Sequence, residues 1–115
     1  MNEMPKFSMN PITEKSWGYE KVIYNDKYCM KLLVYTKPGI ASSLHYHERK
    51  HETFFIASGR FYIEINGLVW LYEPGEHAVL SPGMQHRVRC LEPGTIVEAS
   101  THDDPNDCVR LIPSE

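Results

Sequence analysis

The chain has 115 residues, 42% of them hydrophobic, with 12 Lys and Arg against 15 Asp and Glu and a net charge of −3. That is one domain with enough apolar material for a single core and no room for a second. Charge is spread without a run of one sign, which argues against nucleic-acid and membrane partners, and no apolar run approaches the ~20 residues that cross a bilayer.

Taken in chain order, the opening "MNEMPKFSMN" lacks the basic-then-apolar order of a secretion signal, so the expected location is the cytoplasm. Residues 1–16, with Pro5 and Pro11, read as an extended arm, and residues 17–115 as the folded domain. Short apolar or alternating runs follow at 19–24, 29–36, 43–47, 53–57, 60–65, 68–72, 77–80, 86–90, 95–100 and 108–112, each a candidate strand. Turn residues separate them, from Lys37-Pro38-Gly39 to Glu92-Pro93-Gly94. Asn66-Gly67 is the clearest, because a type I′ hairpin turn needs positive φ at both central positions. No segment carries a helical apolar period. Many short strands in one small domain must close on themselves or expose sticky edges, which predicts a jelly roll or barrel. Cys29, Cys90 and Cys108 are odd in number with no CxxC pair, so they read as reduced, mostly buried thiols.

The stretch "GIASSLHYHERKHETFFIASG", residues 39–59, holds three of the six histidines. In a strand, residues i and i+2 share a face, so His45 and His47 project together, at a spacing suited to chelating one ion at about 2.1 Å. Glu52 lies an odd step beyond His47, so the polar "ERKH" must turn the chain and return Glu52 on an antiparallel strand. His86, after Ser81-Pro82-Gly83, would come opposite these three on closure of the roll. His51 reads as solvent-facing, and His77 and His102 as ordinary surface side chains. Phe54, Phe55 and Ile56 form a continuous apolar run that suits burial on both faces. Trp70 and Tyr72 read as packing residues.

These residues resemble the cupins. Gly39, His45-x-His47, Glu52 and Gly59 match the first cupin motif at every anchor and gap. Gly75, Pro82-Gly83 and His86 follow the second, with Ser81 and Cys90 where proline and asparagine are usual. The resemblance implies an all-β double-stranded β-helix, a jelly-roll barrel, in which His45, His47, Glu52 and His86 bind one divalent metal ion: zinc, manganese, iron or nickel. Three nitrogens and a carboxylate leave two positions of an octahedral ion open, the arrangement of a catalytic centre.

Within the cupins, the chain is similar to the C-terminal domain of the bifunctional phosphomannose isomerase and mannose-phosphate guanylyltransferase family. The matching residues are Trp17-Gly18, Lys31, Pro38-Gly39, His47, Glu52, Gly75-Glu76, Pro82-Gly83, His86-Arg87, Glu98 and Val109-Arg110. His45 stands where that family usually has glutamine, and Thr53-Phe54 where it has His-Trp. The similarity implies a small-molecule, carbohydrate substrate and metal-assisted proton transfer in a sugar or sugar-phosphate isomerase. Glu98 falls where the family carries a glutamate and is the candidate base. Lys31 is placed to hold an oxyanion, and Arg87 and Arg110 to clamp an anion. A metal-dependent dioxygenase or other cupin enzyme, and a non-catalytic sugar-binding module, remain the alternatives. The small roll, its doubly apolar 53–57 strand and its arm also predict a homodimer.

Overall fold

The computed structural model describes residues 12–115. Eleven strands and no helix appear among the described residues: β1 (Ile12–Lys15), β2 (Gly18–Asn25), β3 (Cys29–Tyr35), β4 (Leu44–Tyr46), β5 (Glu52–Ile56), β6 (Arg60–Ile65), β7 (Leu68–Tyr72), β8 (His77–Leu80), β9 (His86–Glu92), β10 (Gly94–Ser100) and β11 (Val109–Ile112). All neighbours pair antiparallel. A six-stranded sheet runs β1-β2-β3-β10-β5-β8 and faces a five-stranded sheet β11-β4-β9-β6-β7. This is the expected all-β, two-sheet jelly roll, and the expected strands appear within two residues of their predicted ends. The segment expected as an arm lies outside the described residues up to residue 11. Its last part, β1, pairs with β2 from Ile12↔Lys21 to Lys15↔Gly18.

The alternation in the sequence explains the layers. Along β3, Cys29, Lys31, Leu33 and Tyr35 are buried, and the residues between them are not. Phe61 and Ile63 of β6, Ile56 of β5, Leu80 of β8, Val88 and Cys90 of β9 and Ile96 of β10 complete an apolar core between the sheets. Each such aliphatic or aromatic side chain contributes about 1.5–3 kcal/mol by leaving water. Tyr35 anchors one end, stacked on Trp17 at 4.2 Å and edge-on to Phe61 at 5.1 Å. Asn66 (φ 49°) and Gly67 (φ 84°) form the β6–β7 hairpin turn, both left-handed as a type I′ turn requires.

Two apolar runs depart from expectation. Phe54 and Ile56 are buried, but Phe55 between them is 45% exposed, because β5 obeys strand alternation and only one face meets the core. Trp70 is 55% exposed and its neighbours Leu68, Val69 and Leu71 are exposed too, on the edge strand of their sheet, where only Tyr72 of β7 packs against the core.

Candidate metal centre

The inward face of the barrel turns polar at one end, and a cavity of about 360 Å³ opens there. Three strands and a crossing loop bring the first four predicted site residues to its floor. His45 stands on β4 directly opposite His86 on β9, cross-strand partners in one sheet. His47 follows two residues after His45. Glu52 begins β5, which belongs to the other sheet and pairs with β10 and β8. The segment 48–51 is therefore a crossing between sheets, where a hairpin return was expected. Glu52 meets the histidines across the barrel interior.

The ligating atoms of His45, His47 and His86 all lie within 4.8 Å of one another. Donors of one ion at about 2.1 Å stand ~3 Å apart when adjacent and ~4.2 Å when opposite, so the three histidines are grouped in the neighbourhood of a single ion and would draw together on binding it. Glu52 bridges two of them, with Oε2 3.2 Å from His47 Nε2 and Oε1 3.4 Å from His86 Nε2.

The protonation pattern suits a cation. Each Nδ1 faces a carbonyl: Ser43 O at 3.1 Å for His45, Asp107 O at 2.6 Å for His47 and Met84 O at 2.9 Å for His86. Carbonyl oxygens only accept, so each Nδ1 carries a hydrogen and Nε2 is the nitrogen through which each ring could ligate a metal. Ser43 Oγ also sits 2.9 Å from His45 Nδ1. Burial, with His86 and His47 alongside, pulls the His45 pKa down to about 3, and burial lowers that of His47 as well. Burial would raise the Glu52 carboxyl, but His86 and the Lys50 charge outweigh it and bring it to about 2. The neutral imidazoles of His45 and His47 thus converge with an ionised carboxylate. Glu52 Oε2 and His86 Nε2 are buried and neither makes a hydrogen bond, Glu52 Oε2 having only its ion-pair contacts with Lys50 and His47, so both keep capacity for a bound cation.

Above this floor lies a second layer that sequence reading did not anticipate. Lys50 belongs to the segment read only as a polar turn, yet it is 4% exposed. Its Nζ lies 2.9 Å from Asp103 Oδ1, 3.2 Å from Glu98 Oε2 and 3.3 Å from Glu52 Oε2. Lys31, opposite Glu98 in the β3–β10 register, reaches Glu20 at 2.6 Å and Asp103 at 2.8 Å. Burial alone would lower both lysine pKa values, but Glu98 and the other carboxylates reverse it, so both ammonium groups hold their protons more firmly than a free lysine. Glu98 moves the other way from an ordinary glutamate. Burial and the Glu52 charge raise its pKa against the pull of Lys50 and Lys31.

Asp107 braces this assembly from the β10–β11 loop. Its carboxylate accepts from the backbone N–H groups of Glu48 at 2.8 Å, Arg49 at 3.2 Å and Lys50 at 3.0 Å, while its carbonyl accepts from His47. Asp103 and Asp107 sit in the polar segment "THDDPNDC", which offers no periodicity and no spacing to a distant partner. Lys50 did carry a signal. It stands two positions before Glu52, an even step.

The remaining predicted residues separate. Lys31 and Glu98 line the cavity, and Arg110, paired with His45 in the β11–β4 register, lies exposed along its lining. Arg87 does not join them. Flanked by inward-facing His86 and Val88, it points outward by strand parity, and its guanidinium donates to the carbonyls of Ser42 at 2.7 Å and Pro113 at 2.9 Å. Its work there is to pin the C-terminal segment. Cys29 and Cys90 are buried free thiols, whereas Cys108 is half-buried and lines the cavity. His51, His77 and His102 are exposed.

The fold has many relatives among solved structures. KdgF from Halomonas sp. superimposes with a TM-score of 0.77 at 16% identity, over 92% of this chain and 98% of that one. An RmlC-like cupin from Shewanella frigidimarina gives 0.76 at 14% identity, over 92% and 96%. The capsular polysaccharide assembling protein CapF from Staphylococcus aureus gives 0.75 at 20% identity, over 90% of this chain but 32% of that longer one. At these identities the likeness is one of fold. No curated protein matches the sequence. Residues 32–100, more than half of the chain and the stretch that carries all four candidate ligands, match the family described as Cupin domain, and the chain belongs to that family.

Proposed function

We propose that this cupin is a metal-dependent isomerase of a sugar or sugar phosphate, moving a proton between adjacent carbons. The observation that carries the reading is one cavity in which the ligating nitrogens of three histidines and an ionised Glu52 converge beside the buried Lys50–Glu98 pair, 3.2 Å apart. A zinc, manganese, iron or nickel ion held by His45, His47, Glu52 and His86 would supply a Lewis acid that acidifies the C–H beside a chelated carbonyl. Glu98 is the base that takes that proton and returns it to the neighbouring carbon. Its raised pKa brings it closer to the operating range of a proton carrier. Lys50 and Ser100, whose hydroxyl lies 3.3 Å from Glu98 Oε2, orient the carboxylate. Lys31 holds the far side of the layer through Asp103, and Arg110 is placed to contact substrate. A carbohydrate substrate is in keeping with the fold likeness to a capsular polysaccharide assembling protein.

The expected assembly is a homodimer, supported by the exposed apolar side chains of Phe55 and Val79 on neighbouring strands. The chemistry is tested by incubating the metal-loaded protein with aldoses and aldose phosphates in deuterated solvent. Deuterium should enter at the carbon next to the carbonyl, and Glu98→Gln should keep the metal while slowing exchange about a hundredfold or more. No exchange across the panel, with oxygen consumed by an iron-loaded sample given a diketone or catechol, would replace the isomerase with an oxygenase. Sugar binding without either reaction would leave a non-catalytic module.

A further inference from the structure

We infer, building on the isomerase reading, that the cavity selects an uncharged free sugar and discriminates against its phosphate ester. The reason is how its cations are committed. Lys31 and Lys50 are the two buried ammonium groups, and both are saturated: Lys31 by Glu20 at 2.6 Å and Asp103 at 2.8 Å, Lys50 by Asp103 at 2.9 Å, Glu98 at 3.2 Å and Glu52 at 3.3 Å. Two lysines against four carboxylates leave two negative charges, which a divalent ion at the histidines would cancel. Neither buried ammonium group is then left uncommitted to face a substrate.

A phosphate dianion entering this layer would have to displace Asp103 or Glu20 from a lysine and sit against the remaining carboxylates. Burying like charges at that separation is costly where water is excluded. Lys15 at the edge of the layer already leans toward Glu20 at 3.9 Å. Arg110, exposed on the cavity lining with no carboxylate partner among the described residues, would have to hold a phosphate from outside the buried layer, without help from either buried lysine. Hydroxyl groups meet the opposite situation. Carboxylate oxygens of Glu20, Glu98 and Asp103 have acceptor capacity beyond their lysine contacts, and a polyol supplies donors to fill it.

Titration calorimetry of the full-length, manganese-loaded protein tests this with glucose, mannose and fructose, each against its 6-phosphate, and with inorganic phosphate as competitor. At least one free sugar should bind, at least tenfold more tightly than its 6-phosphate, and 10 mM phosphate should leave that binding unchanged. Asp103→Asn, which removes one shared negative charge at constant shape, should narrow the preference at least threefold by strengthening the ester. A 6-phosphate that binds as tightly as its parent sugar or more so, or a panel in which no free sugar binds, overturns the inference. Deuterium exchange on the same samples separates it from the isomerase reading: a free sugar that binds without exchange ends that reading alone, and an ester that exchanges and binds best ends this one alone.

Discussion

The two ends of the barrel interior are built from the same strands and differ in what fills them. Along the inward face of β3 the order is Lys31, Leu33, Tyr35; along β5 it is Glu52, Phe54, Ile56; along β9 it is His86, Val88, Cys90. Each face runs from polar to apolar over three alternate residues. At the apolar end, Ile56, Phe61, Ile63 and Ile96 are fully buried and hold the sheets together by packing. At the polar end, His47, Lys50, Glu52, His86 and Glu98 are nearly as buried but hold one another by charge and hydrogen bonds. Burial of ions returns little net stability, since desolvation offsets most of the Coulomb gain. The contrast teaches that one end keeps the barrel folded so that the other can hold a reactive arrangement that would not assemble alone.

The sharpest way to break this comparison is to delete one charge from the polar end. Lys50→Ala leaves Glu98, Asp103 and Glu52 facing one another without their shared cation, and the expected loss is about 3–5 kcal/mol in urea unfolding. Lys50→Met together with Glu98→Leu should recover part of it, because it removes one of the three carboxylates that lose their cation. A double variant no more stable than the single one would show that packing, and not uncompensated charge, governs this end.

At the other end, Ile56→Ala should cost about 2–5 kcal/mol by the lost transfer energy and the cavity left behind. Its mark is selectivity: the remaining folded protein should bind metal as the parent does. His47→Ala should give the reverse, metal affinity lower by more than about a hundredfold with the circular dichroism of the barrel kept. If Ile56→Ala releases metal as readily as His47→Ala does, the two ends are not independent.

The smallest expected effect is on acid stability of the metal-free protein. His45 and His47 have folded pKa values below the ordinary histidine value, so the unfolded chain binds protons first. Their contribution is therefore full above about pH 6.5 and falls as the pH drops toward 3, on the order of 1 kcal/mol per unit of depression before solvent relaxation. Asp103, also depressed, adds its loss only below the ordinary carboxylate range, where burial is outweighed by Lys31 and Lys50. Glu98, with its raised pKa, acts in the opposite sense and gains stability on protonation. Unfolding midpoints should decline from pH 6.5 to 4, and added zinc should flatten the decline. A flat profile for the metal-free protein would mean that the imidazoles are not held neutral.

What the sequence determined by itself was periodic or strictly local. Alternation and turn residues placed the strands, Asn66-Gly67 placed a hairpin, and the i, i+2 spacing put His45 and His47 on one face, because a strand repeats every two residues wherever it lies. Motif spacing added Glu52 and His86 through resemblance. What only the tertiary structure decided was partnership across the barrel. Phe55 and Trp70 face outward because of where their strands sit in the sheets, and Arg87 points away from the cavity although it neighbours His86. Lys50 is buried because the segment 48–51 crosses between sheets and meets Glu98 and Asp103, 48 and 53 positions away. Asp107 locks His47 from 60 positions on. Such contacts have no period, so their identity depends on how two sheets close, and the charge balance that governs the cavity comes into being only when they do.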